Sequence, residues 1–287
     1  IDNGEIPGSV EDGEIVVAIS DVGLQWDHPD LVGNIWQNLG EDADGDGVVI
    51  VQSGNTWIFD PDDINGIDDD EDGYEDNFIG WDVAFNDNDP MPPNNGYSHG
   101  TNVAGCVSSS TNNNIGVASV GWSVKLMGVN TSNDGQYIQY GAQSILTAAQ
   151  MGADVINMSW GGFGGCSYTA LINNAYNNYG CILVASSGNG GSDGNTNFDL
   201  FSPSSCNNVI SVSAVGPNDS FECWATAGET VDLCGPGESV WTTNVNGSYG
   251  SYWGTSFSSP IVAGAVALVW SRFPNADQEW VKIESFK

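Results

Sequence analysis

Apolar residues in this chain fall into short unbroken runs separated by stretches of helical spacing. Residues 14–20 (EIVVAIS), 154–159 (DVINMS), 182–185 (ILVA) and 209–215 (VISVSAV) are too short for helices and too uniformly apolar for half-exposed strands. Such runs predict strands of a parallel sheet buried on both faces. Residues 122–129 (WSVKLMGV) alternate as a strand does, and 78–85 (FIGWDVAF) predict another. Between them, small residues over 101–109 suit a buried helix. Ile138, Ile145, Leu146 and Ala149 give residues 136–151 a helical period. A last long helix is expected from about Ser256 through residues 263–271. Strands alternating with helices indicate an α/β fold. No repeat or linker interrupts the pattern, so residues 1–287 read as one domain.

Charge changes that picture in one region. The 287 residues carry 37 Asp and Glu against 4 Lys and Arg, a formal net charge of −33. Hydrophobic residues still make up 40%, which excludes an acidic disordered tail. A chain so poor in cations is also not expected to bind nucleic acid or an anionic membrane. Seventeen of the acids, and no Lys or Arg, lie between residues 41 and 89, so this belt reads as an acidic insertion in loops. Divalent metal is the natural counter-charge. Six cysteines without CxxC spacing argue against structural zinc and for disulfides in an extracellular or periplasmic protein, with buried free thiols as the alternative. No apolar run reaches the 18 or so residues that a membrane span needs. The opening Ile1-Asp2-Asn3-Gly4 reads as a processed mature form, with any signal or pro-segment outside it.

Functional groups in parallel sheets gather at the carboxyl ends of the strands. Asp21 ends the first run, His99 opens the small-residue helix, and Ser256 opens the last helix. A serine hydroxyl is a poor nucleophile until a neutral imidazole takes its proton, and that imidazole needs a carboxylate to fix its tautomer. The chain has only two histidines. His28, in Asp27-His28-Pro29-Asp30, has the context of a structural turn residue, and His99 is the other candidate base.

The segments AISDVGLQWDHPDL (18–31), HGTNVAG (99–105), INMSWGG (156–162), VASSGNGG (184–191) and GTSFSSPIVAG (254–264) resemble those of the subtilisin-like serine proteases, the subtilases. They occur in that family's order, Asp, His, Ser, at separations of 78 and 157 residues. The resemblance runs from about residue 14 to 271. It implies a three-layer fold with a mostly parallel central sheet flanked by helices. It also implies that Asp21 orients His99, that His99 is general base and then acid, and that Ser256 attacks the peptide carbonyl. Asn189 matches the oxyanion-hole amide, beside the backbone N–H of Ser256. Ser159-Trp160-Gly161 and Asn133-Asp134-Gly135 match the two edges that pair with an extended substrate. Two positions depart from the usual pattern. Val22 follows the triad Asp in place of Ser or Thr, removing a hydroxyl partner of the carboxylate. Phe257 follows the nucleophile where Met is common, removing an oxidisable thioether.

Calcium takes six to eight oxygen ligands. Asp42-x-Asp44-x-Asp46-Gly47 and Asp68-x-Asp70-x-Asp72-Gly73 resemble the first half of an EF-hand loop, but Ser53 and Ile79 stand where its closing Glu would be. Asp82, Asp87 and Asp89 form a third cluster, placed before the His as a calcium loop is in thermitase-like members. The family resemblance further implies a site made by Asp30, Asn113 and the carbonyls of Thr111, Ile115 and Val117, with Asp2 as N-terminal ligand. Two or more Ca²⁺ ions are expected, against the alternative of a solvated acidic surface. Related secreted subtilases pair cysteines in the contexts of Cys166 and Cys206. Cys223–Cys234 is expected next, since only ten residues separate them. Cys106–Cys181 is the remaining pair, with a free Cys106 as its rival.

The resulting expectation is a secreted, calcium-stabilised serine endopeptidase. It would be made as a zymogen with its own propeptide as a partner, would act on proteins and peptides, and would be a monomer. The alternative is a calcium-binding scaffold or adhesion module on the same fold.

Overall fold

The computed structural model describes residues 14–93, 97–163, 165–190 and 201–286. In chain order its strands are β1 (Val16–Asp21), β2 (Ile50–Ser53), β3 (Thr56–Phe59), β4 (Gly80–Asp82), β5 (Lys125–Asn130), β6 (Val155–Met158) and β7 (Gly162–Phe163). They continue as β8 (Ile182–Ser186), β9 (Phe201–Ser202), β10 (Val209–Val215), β11 (Leu233–Pro236), β12 (Val240–Asn244) and β13 (Ser248–Tyr252). The helices are α1 (His99–Ser108), α2 (Gly141–Gln150), α3 (Thr169–Asn178), α4 (Thr255–Arg272) and α5 (Gln278–Ser285). Seven strands form one sheet in the order β11-β10-β8-β6-β1-β5-β4, and every adjacent pair in it is parallel. Two further pairs, β2–β3 and β12–β13, are antiparallel hairpins.

The unbroken apolar runs arise because the sheet is covered on both faces. All six residues of β1 are buried, and alternate ones serve opposite layers. Val17 and Ile19 pack with Val103, Ala104 and Val107 of α1 and with Val262, Ala263 and Val266 of α4. Val16 and Ala18 pack with Ile145, Ala148 and Ala149 of α2 and with Ile172 and Ala175 of α3. The result is the expected three-layer α/β arrangement. The chain leaves β1 for β4 at the edge of the sheet and from there crosses through α1, on one face, to reach β5. It then returns through α2, on the other face, to β6. The winding therefore reverses at β1, and a crevice opens beyond its carboxyl end.

Two elements are shorter than the apolar pattern predicts. β4 stops at Asp82 because that carboxylate accepts the N–H groups of Ala84 and Phe85, both at 2.8 Å, and turns the chain. α2 begins at Gly141 because Asp134 Oδ1 accepts from Gln136 N (2.8 Å) and Tyr137 N (2.9 Å), holding the preceding residues in a loop. In both cases a side-chain acceptor competes with regular structure for backbone donors.

Of the three expected disulfides, Cys166–Cys206 is formed, with Cα atoms 5.1 Å apart. The other two are corrected. Cys106 lies on α1, on one side of the sheet, while Cys181 belongs to the opposite layer and donates its thiol to the Ala153 carbonyl at 3.1 Å. Burial pushes both thiols up to about 12. Cys223 and Cys234 are both free and exposed, and β10 separates them. Cys234 sits on β11 opposite Ser213. Gly237 of that side donates to the Val215 carbonyl, whereas the next residue, Gly216, donates to Ser220 on the other edge, from which Cys223 follows. Among the described residues, no helix is long and apolar enough to cross a membrane.

Truncating Ile19, which is 1% exposed at the centre of the sheet, tests the layer packing. Ile19→Ala should lower the unfolding free energy by about 2–5 kcal/mol with an unchanged denaturant slope, measured by urea unfolding. A loss below about 1 kcal/mol would contradict a close-packed β1.

Candidate active site

Asp21 is fixed before its chemistry begins. It is 1% exposed, and its backbone carbonyl accepts from Thr131 N (2.8 Å) and Thr131 Oγ1 (2.9 Å) across the sheet. Its Oδ1 accepts the N–H of Val22 at 2.8 Å. With no hydroxyl at position 22, the backbone of the same residue supplies a donor. The carboxylate faces His99, whose Nδ1 lies 2.8 Å from Oδ1 and 3.0 Å from Oδ2. A carboxylate accepts only, so Nδ1 carries the proton and Nε2 keeps its lone pair. Gly100 permits this approach, because a Cβ there would collide with the Gly23 carbonyl just beyond Asp21.

The helix bearing His99 is held from its far side. Thr242 Oγ1 and Thr243 Oγ1 each donate, at 2.7 Å, to the carbonyls of Asn102 and Thr101, and Asn102 Nδ2 donates to the Thr243 carbonyl at 2.6 Å. Gly105 lets β12 come this close, since a Cβ there would meet both threonine hydroxyls. Burial lowers the proton affinity of His99, but the charge of Asp21 and its hydrogen bond outweigh burial, and the net value lies above the usual 6.5.

Ser256 is the second residue of α4. Its Oγ donates to the Ser159 carbonyl at 3.2 Å while Ser159 Oγ donates to the Ser256 carbonyl at 2.8 Å. No hydrogen bond joins Ser256 Oγ to His99 among the described residues. The imidazole nevertheless lies beside the start of α4, with its ring centroid 6.0 Å from that of Phe257, and Phe257 stacks on Tyr252 at 5.5 Å. Catalytic hydrogen bonds are often loose before substrate binds. Asn189 follows β8. Its Oδ1 accepts from Thr255 N (2.9 Å) and Thr255 Oγ1 (3.0 Å), which assigns Nδ2 as a donor beside Gly254, without a partner among the described residues. The arrangement therefore brings a hydroxyl, an imidazole oriented by its Nδ1–H, a buried carboxylate and an amide donor to one end of the sheet.

Residues 159–161 follow β6 and residues 133–135 follow β5, the two strands that flank β1. Ser159 is tied to Ser256 as described. Trp160 turns its indole inward, donating Nε1 to the Ser20 carbonyl at 2.9 Å and packing over Gly141, while Gly161 is exposed. Asn133 and Asp134 are exposed, and Gly135 is held by its N–H to Ser132 Oγ at 2.9 Å. One supporting residue escaped the sequence reading. Asn157 Oδ1 accepts from Ser259 Oγ at 2.7 Å and its Nδ2 donates to Ser159 Oγ at 3.0 Å, so it braces β6 against α4. Its place inside an apolar strand was the available signal. His28 is fully buried, accepting the Asp30 N–H at Nδ1 (3.1 Å) and facing the Ser248 carbonyl with Nε2 (3.2 Å), a structural role. Burial holds it below 6.5.

The acidic residues sort into unlike groups. Carboxylate oxygens of Asp42, Asp44 and Asp46 lie within 4.8 Å of one another. The expected Asp68, Asp70 and Asp72 group is corrected. Asp72 is taken by Tyr74 N (3.0 Å) and Asn77 Nδ2 (2.9 Å), and Glu41 joins Asp68 and Asp70 in its place. Glu41 is 0% exposed, and burial lifts its carboxyl to about 7 despite backbone N–H groups from Asp70, Asp69 and Asp76. Asp82, Asp87 and Asp89 do not converge. Asp82 caps its own turn and binds Asn130, and Asp89 Oδ1 accepts from Trp26 Nε1 at 3.1 Å. Asp30 is 0% exposed, with Asn113 Nδ2 at 2.6 Å and Val117 N at 2.9 Å. A buried carboxylate beside an amide and the carbonyl-bearing loop of Thr111, Ile115 and Val117, with no Lys or Arg paired to it among the described residues, is a donor set that fits a hard cation. Asp2 lies outside the described residues.

A sequence model described as the subtilase family matches residues 12–285. The chain is 37% identical over 202 residues to a thermophilic serine proteinase of Bacillus sp. (strain AK1), a match covering 68% of this chain and 47% of that one. It is 35% identical over 195 residues to subtilisin E of Bacillus subtilis (strain 168), covering 67% and 50%. The chain thus spans about half the length of these two relatives. Among solved structures, proteases from Pseudoalteromonas arctica align with a TM-score of 0.70 at 27% identity, covering 98% of this chain and 86% of that one.

With only two histidines, proton NMR titration reads both environments directly. His99 should titrate above 6.5 and His28 below it. In Asp21→Asn, His99 should fall, because burial then acts without the opposing charge. The raised value also means that the Asp21–His99 pair adds stability that is full below about 6.5 and lost as pH rises through the folded-state value. A His99 value unmoved by Asp21→Asn would refute the pairing.

Proposed function

The chain belongs to the subtilase family, and on that premise we propose that it is a serine endopeptidase working through Ser256, His99 and Asp21. The observation that carries this reading is the bond from His99 Nδ1 to the buried Asp21 carboxylate, set beside the first turn of the helix that bears Ser256. In the proposed reaction, Ser256 Oγ attacks the peptide carbonyl as its proton passes to His99 Nε2. The imidazolium so formed is stabilised by Asp21, which stays ionised. Negative charge developing on the carbonyl oxygen is met by Asn189 Nδ2 and the Ser256 N–H. His99 then gives its proton to the leaving amine, and an acyl-enzyme remains. Water, deprotonated by the same imidazole, releases the acid and restores Ser256.

Substrate would lie extended between residues 133–135 and 159–161. The net charge of −33 favours neutral or cationic peptides over acidic ones, weakly and less so at high salt. Calcium would stabilise the protein, with Asp30 and Asn113 contributing to one site. The Cys166–Cys206 bridge supports an oxidising, extracellular setting. Zymogen processing, monomeric state and a single catalytic domain over residues 1–287 complete the proposal.

Intact mass after exposure to a fluorophosphonate tests the nucleophile. One adduct is expected in calcium, and none in Ser256→Ala. Asn189→Ala should still label, with turnover of a peptide substrate reduced about 10²–10³-fold. Failure to label in calcium would overturn the catalytic reading in favour of a calcium-binding scaffold.

A further inference from the structure

Two glycines flank a gap beside Ser256. β6 and β8 are adjacent and parallel, with Met158 opposite Ala185, so the residues that follow them leave the same edge of the sheet side by side. Ser159 of the first segment is bonded to Ser256, and Asn189 of the second is bonded to Thr255. Gly161 and Gly188 bring no side chain to the space between these segments. Trp160 brings none either, because its indole turns away to the Ser20 carbonyl and packs over Gly141.

The side chain that reaches this space is Phe201. A Cβ at Gly161 would collide with Cε1 of its ring and stand 2.9 Å from Cζ. A Cβ at Gly188 would stand 3.1 Å from the same Cε1 and 3.2 Å from Cζ, with Thr226 Oγ1 also at 3.2 Å. One edge of the ring therefore meets both segments at once. Strand β9 carries it there, because Ser202 pairs with Gly162, the residue after Gly161. Phe201 is half-buried and Gly161 is exposed, so the ring is not sealed into the core.

In the proposed reaction the scissile carbonyl lies between Ser256 Oγ and Asn189 Nδ2. The substrate residue that supplies this carbonyl then stands at the mouth of the gap, with backbone of residues 159–161 and 187–189 on either side and the phenyl ring as the floor. We propose that Phe201 is a specificity-determining residue that limits the length of the side chain accepted at this position. The enzyme then cleaves after Gly, Ala and Ser in preference to Leu, Phe and Tyr. This rests on the peptidase reading and deepens it by naming the substrate class. Glycine walls offer shape but no side-chain contacts, so discrimination falls to the ring. Close-packed carbon does not yield gradually. A long side chain must displace a ring wedged between two backbones or leave its own apolar surface in water.

The test compares peptide p-nitroanilides that differ only in the residue before the anilide: Gly, Ala, Ser, Leu or Phe. In the wild-type chain, kcat/KM for Ala should exceed that for Phe about tenfold or more. In Phe201→Ala the ratio of Phe to Ala should rise about tenfold or more, and in Phe201→Leu it should rise by less. The wild-type profile requires no variant to fold, and Phe201→Leu keeps apolar contact with both glycines if Phe201→Ala is unstable. A ring that only supports the fold would lower the thermal midpoint in both variants and leave the ratio unmoved. Equal or faster wild-type cleavage after Phe, or an unmoved ratio in a folded variant, would overturn the proposal. Fluorophosphonate labelling of Ser256 in the same samples separates the two readings. A labelled enzyme that prefers Phe sinks the role of Phe201 alone, and absence of labelling and of turnover sinks the peptidase reading and this proposal with it.

Discussion

β1 is buried on both faces along its whole length, and its last residue is Asp21. That placement constrains nearly everything functional in the molecule. A strand at the centre of a covered parallel sheet offers its terminal side chain to one direction only, the crevice at the carboxyl edge. α1 leads from β4 into β5 on one face and α2 leads from β5 into β6 on the other, so both helices begin at the carboxyl edge where Asp21 lies. His99 opens α1 and meets the carboxylate. The helix that bears Ser256 packs against the same face as α1 and brings the hydroxyl to the same end.

Close approach is purchased by small residues. Gly100 and Gly105 leave α1 without side chains where the Gly23 carbonyl and the Thr242–Thr243 hydroxyls press against it. Those threonines satisfy carbonyls at the start of α1 and tie it to the β12–β13 hairpin, which runs directly into Gly254, Thr255 and Ser256. Asn157 and the reciprocal Ser159–Ser256 bonds make a second tie, from β6 to α4. His99 and Ser256 are thus held by two sets of bonds, one through the β12–β13 hairpin and one through β6.

A different constraint shapes residues 41–89, where acids lack cationic partners. Most of their carboxylates turn to the backbone instead. Asp42, Asp68, Asp72 and Asp82 each accept N–H groups from residues a few positions on, and these bonds fold the loops. Such bonds disperse charge without neutralising it. Asp63, buried beside the Asp42–Asp46 turn, is the one carboxylate with an oxygen that is buried and without a hydrogen-bond partner among the described residues.

The sequence by itself determined the parallel sheet and pointed to Asp21, His99 and Ser256 as candidate reacting groups. Continuous apolar runs have one stable use, and Asp21, His99 and Ser256 sit at strand and helix ends that local pattern alone identifies. Asn189 was legible only through the resemblance of its Ser-Gly-Asn-Gly turn to the family's motif. Only the tertiary structure decided which acids share a space. Spacing placed Asp72 with Asp68 and Asp70, but Asn77 claimed it and Glu41 arrived from a separate loop. Asp63 was invisible because a buried carboxylate and a solvated one read alike along the chain. Cys106 and Cys181, left over by counting, were divided by a sheet that no count contains. Periodicity is a local property of the backbone and survives in the sequence. Convergence of distant side chains depends on how the loops pack, and that is settled only when the layers close.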